Sequence, residues 1–320
     1  MIARYAVLFF LMMAFVVIPL VTYFLCRIFL PRRWGGKTGI TLALLLMLLA
    51  LYGMFVGYQE LEIHQVEYVS KDLPEAFDGY RIVQFSDAHV GTMTGSREWL
   101  LERAVNSILA LRPDMIVFTG DLQNVYPDEI IAHLPQMRRL MAPDGVYSVL
   151  GNHDYATYQP VDSLMKEANC VKTQALERQA GWILLMNDHR VIRRDSDSII
   201  VAGMENWGKA KRMPRRGDVK KTLEGVDPAS FVVLLQHDPT AWRELILSQC
   251  NAQLTLSGHT HGGQANIFGL SPAALGYKEY EGLVYEGTRA MFVSTGLGAL
   301  IPFRLGLPGE IVVITLRKQK

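Results

Sequence analysis

Ser257-Gly258-His259-Thr260-His261-Gly262-Gly263-Gln264 puts two imidazoles two residues apart on a glycine-rich turn, just after the short apolar run 254–256. Neutral imidazole is the commonest side-chain metal ligand, and the small residues around this pair let backbone and substrate approach closely. The stretch reads as half of a metal site, carried on the end of a strand. Working outward, the same arrangement appears four more times. Residues 80–86 lead to Asp87-Ala88-His89, 115–119 to Gly120-Asp121, 146–150 to Gly151-Asn152-His153-Asp154, and 231–235 to Gln236-His237-Asp238. Between the first two strands, Leu100, Leu101, Ala104, Val105, Ile108 and Leu111 mark one face of a helix that Arg112-Pro113-Asp114 stops. This is a β-α-β unit. Open α/β sheets bind ligands beyond the carboxyl ends of their strands, so the five clusters are expected to converge despite their separation in sequence. Residues 290–294 and 310–316 read as closing strands between glycine-rich turns, and no internal repeat or low-complexity segment is evident.

Asp87, His89, Asp121, Asn152, His237, His259 and His261 together offer carboxylate, amide-oxygen and imidazole donors. Imidazole favours zinc and iron, whereas the oxygen donors suit manganese, so Mn2+, Zn2+ and Fe2+ all remain open. Cysteine is absent from the set, which argues against a purely structural thiolate zinc site. In order, the blocks D-x-H, G-D, G-N-H-D, a lone H and G-H-x-H resemble the calcineurin-like metallophosphoesterase superfamily over residues 80–316. The resemblance implies a four-layer α/β fold, with two packed β-sheets flanked by helices, and two divalent metal ions. Position by position, it implies one ion on Asp87, His89 and His261, a second on Asn152, His237 and His259, and Asp121 bridging them. Two such ions about 3.5 to 4 Å apart hold a hydroxide that serves as the nucleophile in a phosphoryl displacement.

The same resemblance makes His153 catalytic without being a ligand: it stabilises transition-state charge or protonates the leaving oxygen. Many relatives carry Asp three residues after the bridging carboxylate to support that histidine. This chain carries Asn124, which accepts a hydrogen bond but brings no charge. Asp154 and Asp238 read as turn caps or orienting groups. The stretches 262–264 and 294–298, with Arg304 and residues 308–310, resemble a bacterial membrane- or wall-associated branch of the superfamily.

The 320 residues carry a formal net charge of +1, and half of them are hydrophobic, with the excess at the front. Residues 5–26 and 38–58 contain no charge, and each stretch is long enough to cross a hydrocarbon core of about 30 Å as a helix. A cleaved signal peptide is the alternative for the first, but Arg4 is its only basic residue and no A-x-A-like site follows. The chain therefore divides into a membrane anchor over 1–58 (helices at about 5–30 and 38–58), a polar connector over 59–79 and a catalytic domain over 80–320. Arg27, Arg32, Arg33 and Lys37 lie between the helices, which points to a cytoplasmic tip and an extracytoplasmic catalytic domain.

The near-neutral charge supplies no argument for a nucleic-acid partner. Cys26, Cys170 and Cys250 are too few and scattered for a disulfide framework or a thiolate zinc site, and His64, His133 and His189 are expected to stay outside the site. No G-x-G-x-x-G, Walker A or G-x-S-x-G motif occurs, and the H-x-H-x-D-H block of metallo-β-lactamase-like hydrolases is missing. The basic run 209–221 reads as a solvated loop, or as a guide for phosphate-bearing lipid at the membrane surface. Taken together, these features lead to a membrane-anchored hydrolase of phosphoester or phosphoanhydride bonds, with a phosphate-ester substrate that membrane anchoring favours as lipid-linked. Two alternatives stand beside it: a non-catalytic metal-binding membrane module, and, for a domain facing the cytoplasm, hydrolysis of a nucleotide-diphosphate-linked lipid such as UDP-diacylglucosamine.

Overall fold

A computed structural model describes residues 8–319. Arg4, and the start of the first apolar stretch at Tyr5, lie outside the described residues. Two apolar helices lead: α1 (Leu8–Phe29) and α2 (Arg32–Phe55), of 22 and 24 residues. At 1.5 Å per residue each is long enough to span a hydrocarbon core of about 30 Å. Pro19 has no N–H and crowds the preceding turn, and the turn before it, Met13–Val17, is widened to π-helical form. The second helix begins earlier than its uncharged stretch, so Arg32, Arg33 and Lys37 occupy its first turns beyond Pro31.

Residues 59–79, expected as a polar connector, contain a ten-residue strand, β1 (Leu61–Ser70). It pairs in parallel with the last strand, β12 (Gly309–Lys318), from Leu61↔Gly309 to Ser70↔Lys318. Its polarity follows from its place: β1 forms one edge of its sheet, and charged side chains on an edge face water. His64 donates from Nδ1 to the buried Glu310 on β12 at 2.7 Å.

The first sheet continues with β2 (Arg81–Phe85), β3 (Met115–Phe118), β4 (Val146–Ser148) and β5 (Ile183–Leu184), in the order β1-β12-β2-β3-β4-β5. From β2 to β5 all neighbours are parallel. The two longest helices of this half are α3 (Trp99–Ala110) and α4 (Ser163–Gln179). The second sheet is built from β6 (Asp188–Arg194), β7 (Asp197–Gly203), β8 (Val232–Leu235), β9 (Leu254–Ser257), β10 (Gly282–Glu286) and β11 (Arg289–Val293), in the order β10-β11-β9-β8-β7-β6. Its three central pairings are parallel and its two outer ones antiparallel.

Alternation along the strands makes four layers. Ile82, Val117, Tyr147 and Ile314 from the first sheet meet Val201, Val233, Leu256 and Phe292 from the second in the central core. Their neighbours in sequence, Val83, Phe85, Ile116 and Phe118, face outward onto Leu101, Ala104, Val105 and Ile108 of α3. On the other outer face Ile200, Val232 and Leu234 pack on Trp242 and Ile246. Strands buried on both faces read as unbroken apolar runs, and this is the pattern of parallel sheets covered by helices. The expected two-sheet, four-layer fold is what the structure shows.

The helical pair is seated on this body through the loop before β12. Arg304 N–H donates to Gly53 O at 3.0 Å, and Phe303 packs on Phe10 with ring centroids 4.8 Å apart. Gly53 has to be glycine for this contact, because a Cβ there would lie 2.3 Å from the Phe303 ring. Arg304 itself is fully buried, and its guanidinium donates to the carbonyls of Thr295, Gly296, Gly298, Leu307 and Pro308. It cross-links the loop that touches the helices to the loop that touches the site.

Candidate metal centre

Each site residue sits where a strand stops. Asp87 and His89 follow β2, Asp121 follows β3, Asn152 and His153 follow β4, His237 follows β8, and His259 and His261 follow β9. Asp87, His89, Asp121, His259 and His261 all have φ between 43° and 74°, the left-handed region that non-glycine residues seldom adopt. Local strain of this kind persists only where the surrounding structure over-determines it, and here it turns five donors back toward one point. The turn of β9 also requires Gly258, since a Cβ there would lie 2.0 Å from Ser86 Oγ and 2.3 Å from Asp87 Oδ2.

All seven candidate ligands converge. Asp87, His89 and His261 offer donor atoms within 4.8 Å of one another, and so do Asp121, His237 and His259. Asn152 Oδ1 lies 3.2 Å from His237 Nε2, beside the second group. Asp121 joins the two groups: its Oδ1 accepts from His153 N–H at 2.8 Å, which leaves Oδ2 3.2 Å from His237 Nε2 and 3.8 Å from His89 Nε2. His153 also comes within 4.8 Å of His89 and Asp121, with its ring edge-on to His89 at a centroid distance of 4.7 Å.

Neighbouring groups set the orientations. His237 Nδ1 donates to Thr119 O at 2.7 Å, which turns Nε2 inward. Asn152 donates its amide N–H to Tyr158 Oη at 3.2 Å, leaving its oxygen on the His237 side. His259 presents Nδ1 to His237, while its Nε2 lies 2.8 Å from Tyr277 Oη and 3.6 Å from Asp238. Asp154 accepts backbone N–H groups from Gly151, Asp121, Leu122 and Gln123, which ties the loops after β3 and β4 together. Its role is to organise backbone. Asp238 does the same on a smaller scale, accepting from Thr240 N–H and Oγ1–H.

His153 Nδ1 donates to the main-chain oxygen of Asn124 at 2.5 Å. The support expected from the Asn124 side chain therefore comes from the backbone, and its amide oxygen is buried without a hydrogen-bond partner among the described residues. Asn124→Ala is expected to keep turnover within about fivefold of the parent, because the amide contributes at most one neutral hydrogen bond. Steady-state kinetics of the purified variant check this.

The electrostatics fit a cation. Burial pushes the Asp87 carboxyl up to about 6. Although burial also opposes charge on Asp121, the imidazoles of His237 and His153 hold it well below the usual carboxylate range. Against burial, the Asp121 charge raises His237 to about 10, whereas burial lowers His89 to about 3 and depresses His259 and His261. Two carboxylates thus lie buried among imidazoles that are mostly neutral, a donor set that binds divalent ions and is left short of positive charge without them.

Asp121, Asn152, His153, His259 and His261 of the cluster line a cleft of about 420 Å³, together with Tyr158, Arg212, Tyr277, Ile301, Phe303 and Phe10 of α1. Tyr158, Tyr277 and the place of Arg212 were not readable from motifs: they lie on loops of no fixed period. Arg212 holds its guanidinium 5.9 Å from the Tyr158 ring centroid, while elsewhere in the basic run Lys209 pairs with Glu244 and Arg216 with Glu167. His64 and His189 are engaged away from the cleft, on Glu310 and on Thr222 O, and His133 is not among its lining residues.

Residues 80–263 match the sequence profile of the calcineurin-like phosphoesterase family. An uncharacterized metallophosphoesterase, YkuE, of Bacillus subtilis is 31% identical over 275 residues, covering 82% of this chain and 89% of the relative. A transmembrane protein with metallophosphoesterase domain of Danio rerio is 30% identical over 293 residues, covering 89% of this chain; this chain spans 64% of that longer relative. UDP-2,3-diacylglucosamine pyrophosphatase LpxG of Chlamydia trachomatis is 26% identical over 331 residues, covering 87% of this chain and 97% of the relative.

Proposed function

Since the chain belongs to the calcineurin-like phosphoesterase family, we propose that it is a membrane-anchored, two-metal hydrolase of phosphoester or phosphoanhydride bonds acting on a lipid-linked substrate. The observation that carries this reading is the convergence of seven donors and His153, of which Asp121, Asn152, His153, His259 and His261 line one cleft beside α1.

In this reading Asp87, His89 and His261 hold one divalent ion, and Asn152, His237 and His259 hold the other. Asp121, whose Oδ2 lies between His237 and His89, would serve both. When bound, the ions supply Lewis acidity and an activated water for attack at phosphorus. The remaining work falls to the chain. His153, fixed through Nδ1, directs Nε2 to the charge that develops on the leaving oxygen. Arg212 faces the non-bridging phosphate oxygens as a forked cation. Its replacement by Ala is expected to lower kcat/KM about 10- to 100-fold, the worth of a hydrogen bond to a charged group, with ion content unchanged. Measurement of kcat and KM beside elemental analysis checks both parts.

Residues 1–58 serve as the anchor, and the catalytic unit begins at β1, whose pairing with β12 makes it part of the sheet. The basic residues at the turn between α1 and α2 favour a cytoplasmic tip, with the catalytic unit on the outer face. The mixed donor set suits Mn2+, Zn2+ or Fe2+. A second reading follows from the Chlamydia relative: cleavage of the pyrophosphate of a nucleotide-linked lipid by a domain on the inner face.

The test uses the full chain in detergent, stripped of metal and resupplied with manganese or zinc, against a chromogenic phosphodiester. Activity should vanish on stripping and return with the ion. A folded, metal-loaded protein inactive on phosphodiesters, phosphomonoesters and pyrophosphates alike would replace the hydrolase reading with a metal-binding module.

A further inference from the structure

The segment that follows His261 has work to do beyond the cleft wall. From Gly262 to Tyr277 it contains no acidic or basic residue. Ile267 and Leu270 exchange both backbone hydrogen bonds around a two-residue tip, Phe268-Gly269, with φ values of 54° and 81°. Turns with both central residues left-handed favour Asn or Gly at the first position, so a phenylalanine there strains the backbone. Its side chain is 100% exposed, and Leu275 and Leu270 on the same segment are 93% and 77% exposed. Nothing inside the protein is gained from these three side chains.

The hydrogen bonds of the segment place it relative to the helices. Gln264 donates its amide N–H groups to the carbonyls of Ile301 and Phe303, and Asn266 N–H donates to Leu305 O at 2.9 Å. That neighbouring loop is the one that meets the helical pair, through Phe303 on Phe10 and Arg304 on Gly53. The segment therefore lies beside the end of α1, whose Leu8 and Phe9 are 59% and 62% exposed, and continues the apolar surface of the helices onto the catalytic body. Phe10 and Ile301 line the same cleft as Pro272 and Tyr277, so the helix end and the segment share it.

We propose that residues 267–275 are a third membrane contact, an uncharged hairpin that inserts Phe268, Leu270 and Leu275 into the leaflet beside α1. The cleft mouth then opens onto lipid, and a phosphate headgroup reaches the metals from the leaflet. Fully burying such side chains in hydrocarbon is favourable, whereas a charged segment at this place would be excluded. The inference rests on reading the helices as membrane spans and the cleft as the phosphoester site.

The experiment places an indole at the tip. Full-length Phe268→Trp is reconstituted in vesicles of phosphatidylcholine and phosphatidylglycerol, with and without bromines in the upper half of the acyl chains. Tyr285→Trp, near the opposite end of the second sheet, is the reference. The emission added at position 268 should shift to the blue and be lost in brominated vesicles, and that at 285 should not. Emission at 268 that the bromines leave intact overturns the proposal: a blue shift without quenching assigns the hairpin to a protein cover such as a second copy, and no shift assigns it to water. Turnover of the chromogenic phosphodiester by the same samples reads the catalytic site separately. Quenching without turnover keeps the membrane contact and removes the hydrolase reading, and turnover without quenching does the reverse.

Discussion

Asp121→Asn is expected to lower kcat by at least about a thousandfold, equivalent to roughly 4 kcal/mol at 1.36 kcal/mol per tenfold. Among the described residues, Asp121 is the carboxylate whose free oxygen faces both halves of the cluster, 3.2 Å from His237 and 3.8 Å from His89. The amide keeps an oxygen for the His153 N–H bond, so the loops after β3 and β4 should remain in register. What it removes is a buried negative charge between the two donor groups, and bound metal should fall with turnover. Elemental analysis and turnover of the full-length variant decide it; a variant that keeps both its ions and its activity would falsify the bridging role. Circular dichroism and thermal unfolding on the same sample separate this effect from a failure to fold.

His153→Ala should behave differently. Its Nδ1 is committed to Asn124 O, and its Nε2 is the atom left for chemistry. Loss of a general acid or a charge-stabilising imidazole costs typically 10²- to 10⁴-fold, and turnover is expected to fall within that range while bound metal stays at the parental level. His153 also comes near His89 and Asp121, so the geometry allows a ligand role, and the metal content of this variant separates the two. Metal lost together with activity would make His153 a ligand. Retention of activity by Asn124→Ala beside inactive His153→Ala would place the support of the imidazole in the backbone.

The five polar clusters were legible because each follows a short apolar strand, and strand, turn and ligand are neighbours in sequence. Left-handed φ values at Asp87, His89, Asp121, His259 and His261 then aim the donors, a local event that the motifs already encode. Strand β1 was not legible. Its polar residues look like a linker until β12, almost 250 positions later, supplies the hydrogen bonds. The β6–β7 hairpin and helix α4 were missed for a related reason. Polar residues are interspersed through β6 and α4, and few of the side chains of either are buried.

The sequence by itself determined the donor types, their order and the apolar helices at the front, because these follow from local periodicity and from residue chemistry at strand ends; the two-sheet architecture was implied by the family resemblance that those donors carry. Only the tertiary structure decided which atom of each imidazole faces inward, that a main-chain oxygen holds His153, that Arg304 is a buried clamp on five carbonyls, and that the cleft lies against α1. Those features depend on contacts between segments distant along the chain. The direction of a side chain and the partner of a buried donor are set by whichever surface the fold brings against them.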